Sequence, residues 1–340
     1  MTQTAYDISV IICAYNKERW HDLVAAVESI QRQSVLPREV IVVIDHNPRL
    51  LQRVRVHIPY VIVTENFGQQ GLSGARNSGV TIAQGALIAF LDDDATAEPD
   101  WLNRLTCCCE DAQVLGAGGA VEPLWLGKRP AWFPEEFYWV VGCTYRGLPE
   151  ELTVVRNPFG GCTCIRREVF EAVGGFRHSI GRVGGRPMGG EETELCIRAK
   201  QRWPQKFFLY EPQAKIHHRI PSHRATWRYF RSRCYAEGLS KAIVAGYVGA
   251  KDGLASERTY ILRTLPRGIV QSLADALLRE GLTGLARAGA IVLGLALTIA
   301  GYLVGSTLLY IEKLKTKRKK IIAREETFLR NLPPSIKAEP

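Results

Sequence analysis

At 340 residues, 46% of them apolar and 23% charged, the chain can bury a full core. That excludes disorder over most of its length and leaves room for one large domain with an appendage, or for two domains. The formal net charge of +10 is concentrated late, at Lys313, Lys315, Lys317, Arg318, Lys319 and Lys320 beside an apolar segment, which favours anionic membrane lipids over nucleic acid as the partner.

Ile8 to Cys13 is a short apolar run ending at Tyr15-Asn16, and Trp20, Leu23, Val24, Val27 and Ile30 then recur at helical spacing. A second run, Glu39 to Ile44, ends on Asp45; a third, Tyr60 to Thr64, leads into Asn66-Phe67-Gly68. A helix is expected from Ser73 to Gln84, and a buried strand from Leu87 into Asp92-Asp93-Asp94. The predicted order is β-α-β-β-α-β, a mostly parallel sheet covered by helices, as in the nucleotide-binding half of a doubly wound α/β fold. In such sheets ligands gather beyond the carboxyl ends of the strands. Three adjacent carboxylates there read either as a divalent-metal site or as a solvated acidic turn. Gly68, Gly71, Gly74 and Gly79 surround Ala75-Arg76-Asn77, so a glycine-rich turn feeds a helix whose first turn presents a guanidinium, a pattern suited to a diphosphate.

Val114 to Val121 reads as another strand. Trp125, Trp132, Phe133, Phe137, Tyr138 and Trp139, broken by Pro130 and Pro134, read as packing or as a sugar or lipid platform. Gly160-Gly161 allows close backbone approach, and Arg167 to Val173 is a short helix ended by Gly174-Gly175. A second acidic centre, Gly189-Gly190-Glu191-Glu192, opens a helix; its acids serve as helix capping or as a general base. Phe207 to Tyr210 is a strand, and in the stretch after it the adjacent His217 and His218 should face opposite ways, so at most one is a ligand. From Ser222 onward the pattern is helical, with Arg224, Arg228 and Arg231 on one face, either solvated or clamping an anionic diphosphate or lipid phosphate.

Tyr260 to Ala286 mixes aliphatic residues with arginines, suggesting amphipathic helices lying on a membrane. Ala288 to Tyr310 carries no charge and as a helix reaches roughly 35 Å, enough to cross a bilayer core. Gly289, Gly294, Gly301 and Gly305 leave room for a bent or re-entrant course, so crossing and re-entry both stay open. The expected division is a catalytic domain over 1–225, interface helices over 226–287, the apolar helix over 288–310 and a basic tail over 311–340. Nine cysteines, an odd number with no CxxC pair and no amino-terminal secretory signal, suggest a reducing cytoplasm and small core side chains rather than zinc.

Taken together, Tyr15, Asp45, Gly71-x-x-Gly74-Ala75-Arg76-Asn77-x-Gly79, Asp92-Asp93-Asp94 and Gly190-Glu191-Glu192 resemble, in order and spacing, family 2 glycosyltransferases of the GT-A fold. The resemblance covers residues 7 to 225 and is nearest to bacterial and archaeal enzymes that build polysaccharides or lipid-linked sugars, including the glucosyl-dolichyl phosphate glucuronosyltransferase type. It implies an inverting transfer of one sugar from a nucleotide sugar, UDP-linked, to a lipid-linked or membrane-proximal saccharide, at the cell membrane with the catalytic domain facing the cytoplasm. It implies that Tyr15 and Asp45 hold the base, that Arg76 lies near base and diphosphate, and that Asp92 or Asp93 contacts the ribose. Asp94, with His218, would hold Mg²⁺ or Mn²⁺; Glu192, beside Glu191, would be the catalytic base. Arg224, Arg228 and Trp132 are candidates for acceptor or diphosphate contact. Two departures stand out: Asp45 is followed by His46-Asn47, and Gln201-Arg202-Trp203 only brushes the Gln-x-x-Arg-Trp of processive synthases. Competing readings are a sugar nucleotidyltransferase, for which Ala14-Tyr15-Asn16-Lys17 lacks the glycine-rich loop, and an inactive nucleotide-sugar-binding membrane scaffold.

Overall fold

The structure is a computed structural model that describes residues 6–182, 188–254 and 257–330. The tail expected beyond 330 lies outside the described residues. Strands β1 (Tyr6–Ala14), β2 (Pro37–Ile44), β3 (Ile62–Glu65) and β4 (Leu87–Asp92) run parallel in the order β3-β2-β1-β4, joined by α1 (Trp20–Gln31), α2 (Pro48–His57) and α3 (Leu72–Ile82). The two-residue period of a strand sorts their side chains: Val10, Ile12, Ala89 and Leu91 join the core under α1 and α2, while Ile11, Ile88 and Phe90 join the one under α3.

Helix α2 is an addition to the expected order. The Asn47 side chain caps it, accepting from the Leu50 N–H at 3.1 Å, and Pro48 takes an early helical position where a missing N–H costs nothing. His46, at φ 49°, is the one non-glycine residue among those described with a left-handed backbone. The His46-Asn47 departure is therefore the turn that launches α2.

The remaining strands close the sheet from the other side. After β5 (Ala95–Ala97) and α4 (Trp101–Cys108) come β6 (Val114–Trp125), β7 (Thr153–Val155), β8 (Cys162–Arg166), α5 (Arg167–Val173), α6 (Glu191–Arg202) and β9 (Phe207–Ile220). β8 lies antiparallel between β4 and β6, β9 runs parallel to β6, and β5 and β7 pair antiparallel with β9. β9 continues well past Tyr210 and carries both histidines.

Helix α7 (Trp227–Val248) begins later than the sequence pattern suggested, capped by the Thr226 side chain. Two short turns, α8 (Ala250–Gly253) and α9 (Glu257–Thr259), then lead through a π-helical stretch, Tyr260–Thr264, to α10 (Leu265–Asp275) and α11 (Leu282–Arg330). α11 passes through Gly289, Gly294, Gly301 and Gly305 without a break. Three of these glycines serve packing: a Cβ would stand 2.4 Å from the Phe137 ring at Gly294, 2.1 Å from the Tyr235 carbonyl at Gly301 and 2.8 Å from Ala242 at Gly305. Ala290 and Ile291 enter the main core with Phe137 and Phe230. Leu282–Thr316 is long and apolar enough to cross a membrane, with a mean hydropathy of 2.0 in its most apolar window.

Candidate active site

Parallel register brings the first functional groups to one edge. Ala14 pairs with Ile44 and Cys13 with Asp92, so Tyr15, Asp45 and the acidic triplet emerge side by side. Tyr15 is 52% exposed, its ring free to meet a ligand, and its carbonyl accepts from the Asn47 side chain at 2.8 Å. Asp45 is more tied down. Its oxygens accept from the Asn66 amide at 2.6 Å and the Gly71 N–H at 3.0 Å, with the His46 ring at 2.9 Å, so it fixes the strand end to the glycine-rich turn.

The antiparallel pairing of Ala95 with His218 lays β9 across the triplet. His218 is buried and its Nδ1 lies 3.1 Å from Asp94, while His217 faces the other way and meets Glu98 at 3.2 Å, as alternation requires. Arg224 donates to His218 Nε2 at 3.1 Å, which assigns the ring proton to Nδ1. Asp92, Asp94 and His218 each offer a ligand atom within 4.8 Å of the others. Two carboxylate oxygens and an imidazole nitrogen fit Mn²⁺ or Mg²⁺. Both His218 nitrogens are engaged, so ligation by His218 requires release of Asp94 or Arg224.

Arg19, which the sequence reading passed over, holds the triplet's charge. Its guanidinium lies 3.0 Å from Asp93 and 2.9 Å from Asp94. Burial pushes Asp93 up to about 7, helped by the Asp94 charge and opposed by Arg19. Burial also works against ionisation of Asp94, but His218, Arg19 and Arg224 outweigh it and hold Asp94 well below the usual carboxylate range. The triplet is thus divided: Asp93 is committed to Arg19, and Asp92, with 40% of its side chain exposed, is the open member.

The glycine-rich turn delivers the expected guanidinium, Arg76, to the cavity, but already paired. Arg76 is buried at 3% exposure, paired with Glu191 at 3.0 Å and Asp92 at 3.4 Å and flanked by the Phe90 and Phe176 rings. It is a buried tie between the two acidic centres and not a free guanidinium at the helix start. Glu191 is correspondingly committed to Arg76. Glu192 carries the next position of the same helical turn and lines the cavity; burial and the Glu191 charge raise it to about 8 against the pull of Arg76. Gly160 and Gly161 make the close approach anticipated for them: a Cβ at Gly161 would stand 2.3 Å from Asp92, and one at Gly160 3.1 Å from Arg76.

Three candidates fall elsewhere. Arg224 lies in the turn before α7 and serves His218 and Asp94, so the arginine stripe does not form; Arg228 is exposed on α7. Trp132 stacks on Trp227 at 3.8 Å and packs against Phe230, and neither it nor Arg228 lines the cavity among the described residues. The cavity, about 840 Å³, runs from Tyr15, Asp45 and the triplet past Glu192 to the polar face of α7 and the side of α11. Arg182 also lines it; burial works against its charge, and Tyr229, Asp92, Asp94 and Glu191 outweigh that. The sequence offered no periodic signal for Arg19 or Arg182, each of which sits in a connection.

A sequence profile for "Glycosyl transferase family 2" matches residues 9–174. The glucosyl-dolichyl phosphate glucuronosyltransferase of Haloferax volcanii is 34% identical over 241 residues, 70% of this chain and 77% of that protein. The chain belongs to family 2 of the glycosyltransferases. The family 2 chain is also 26% identical to the succinoglycan biosynthesis protein ExoM of Rhizobium meliloti, over 75% of its own length and 85% of that relative. Its fold matches that of a mannosyltransferase from Pyrobaculum calidifontis, solved with GDP-Man and Mn²⁺, at a TM-score of 0.53 and 19% identity over 90% of this chain and 87% of that one. The GT-A fold and a hexosyltransferase activity follow.

Proposed function

We propose that this enzyme moves a single sugar, with inversion, from a UDP-sugar to a hydroxyl of a lipid-linked or membrane-proximal saccharide, at the cell membrane with its catalytic domain facing the cytoplasm. One observation carries the reading: Asp92 and Asp94, which with His218 form a metal-capable group, line the same cavity as Glu192 and the exposed Tyr15 ring. Tyr15 would stack on the base, with Asp45 shaping the floor beneath it. Asp92, Asp94 and His218 would hold Mg²⁺ or Mn²⁺, which when bound offsets diphosphate charge as a Lewis acid.

The chain's own residues account for the remaining steps. As the acceptor hydroxyl oxygen bonds to the anomeric carbon, its proton passes to a Glu192 carboxylate oxygen. The bond from that carbon to the diphosphate breaks, and its electron pair leaves with the nucleoside diphosphate. Arg182, facing the acidic centre, supplies positive charge near the departing group. A base raised to about 8 is matched to proton transfer near neutral pH. Arg76 and Glu191 position Asp92 and Glu192 without touching substrate.

The test is a screen of nucleotide sugars with a membrane lipid extract and Mn²⁺ or Mg²⁺, products being read by mass. Glu192→Gln should lower transfer by about 10² or more while the variant stays folded; a variant that transfers normally overturns the base assignment. Donor hydrolysis by the purified chain should disappear in Asp94→Ala.

A further inference from the structure

The far end of the cavity carries a charge arrangement that the transfer mechanism does not use. Arg233, 8% exposed, donates to Glu237 at 2.9 Å, and its Nε is buried without a partner. Lys241 pairs with Glu237 at 3.3 Å and Glu257 at 2.8 Å, and Arg156 lies 3.6 Å from Glu257. Among the described residues, these three cations face two carboxylates, leaving one positive charge in excess. Glu237 stays ionised: burial opposes its charge, but Lys241 and Arg233 bring it down to about 2. A buried, singly positive cluster is matched by a singly negative group that accepts hydrogen bonds.

The wall beside this cluster is apolar. Leu295, Ile299 and Tyr302 of α11 line the same cavity, and Ile299 is also 47% exposed, so the cavity reaches the outer surface of the helix that is apolar enough to cross a membrane. Exposed Val292 and Leu303 continue that surface on either side. A ligand seated here would find one positive charge and, next to it, an apolar lane leading outward.

We propose that this end of the cavity is the acceptor site, and that its acceptor is a sugar joined through a phosphodiester to a long apolar chain. The phosphodiester, with its single negative charge, sits on Arg233 and Lys241. The chain leaves over Ile299 and Tyr302, and the sugar points back toward Glu192. This rests on the transferase reading above and replaces Arg224, Arg228 and Trp132 as the acceptor contacts.

Binding to the full chain in detergent micelles tests it with three probes: glucosyl phytanyl phosphate, glucosyl methyl phosphate and the uncharged glucosyl phytanyl ether. Arg233→Ala should weaken glucosyl phytanyl phosphate at least tenfold, Arg233→Lys should recover most of that, and the ether should change less than twofold. Ile299→Asp should weaken both phytanyl probes and spare the methyl one. Lys241→Met should act in the same direction as Arg233→Ala and serves if that variant does not fold. UDP with Mn²⁺, titrated in parallel, should bind every folded variant alike. Phosphodiester affinity within twofold of wild type in both Arg233→Ala and Lys241→Met overturns the acceptor site alone. Displacement of the probe by equimolar phosphatidylglycerol also overturns it, making the cluster a general anionic-lipid site. Failure of the wild-type chain to bind UDP overturns the transferase reading and this inference with it.

Discussion

Glu192 and Glu191 differ by one position on α6, and their surroundings set them apart. Glu191 is ion-paired with Arg76 at 3.0 Å, whereas Glu192 is raised from 4.5 to about 8 by burial and the Glu191 charge. A carboxyl raised in the folded state favours the fold while protonated; that contribution is complete below about 4.5 and is lost as pH rises through about 8. Glu192→Gln should therefore raise the thermal midpoint at pH 9 and change it little at pH 4.5. If Glu192 is the base, wild-type transfer should climb with pH and level off above about 8, a limb that Gln abolishes. The opposite sign is expected at Arg76. Replacing it with Met leaves Glu191 buried without its cation, and removing one partner of a buried ion pair costs about 3–5 kcal/mol. Arg76→Lys, which keeps the charge, should lose less in the same thermal measurement.

At the level of elements, the strands and their acidic ends were legible in the sequence because a buried parallel strand is a continuous apolar run and its end is abrupt. Arg167–Val173 and the start of α6 at Glu191 were readable from their glycine boundaries. What escaped was what tertiary pairing supplies. Pro48 after Asn47 signals a helix start, yet α2 has no apolar run to draw attention to it. The arginine spacing at 224, 228 and 231 looked helical because periodicity cannot register that residues 222–224 form a separate turn before Thr226 caps α7. Arg19 and Arg182 acquire their meaning from carboxylates far away in sequence. The glycines of α11 left a bent or re-entrant course open in the sequence, and three of them, Gly294, Gly301 and Gly305, are contact points in an unbroken helix. Gly301→Leu should accordingly wedge α11 away from Tyr235 and Gly238 and cost about 1–3 kcal/mol or more. Gly289→Ala, where a Cβ meets nothing within 4 Å, should instead gain up to about 1 kcal/mol from helix propensity. Thermal midpoints of the two variants should therefore move in opposite directions.

For the whole molecule, the question is whether α11 is an anchor attached to a finished enzyme or part of the enzyme itself. Ala290 and Ile291 belong to the same core as Phe137 and Phe230, Gly301 touches the backbone of α7, and Leu295 and Tyr302 wall the cavity that holds the acidic centre. A detachable anchor would share few of these surfaces. Deleting residues 282–340 should thus not release a soluble, active catalytic domain. It should uncover apolar surface around Phe137, Phe230 and the inner face of α7, and burial at about 25 cal/mol per Å² makes that exposure costly. The truncated chain should aggregate or melt well below the full chain in the same detergent. Recovery of a monodisperse truncated protein with an unchanged melting temperature would show that α11 serves only to hold the enzyme at the membrane. If instead the truncated chain folds well enough to bind UDP with Mn²⁺ but no longer takes glucosyl phytanyl phosphate, α11 forms the acceptor wall without being needed for the donor half.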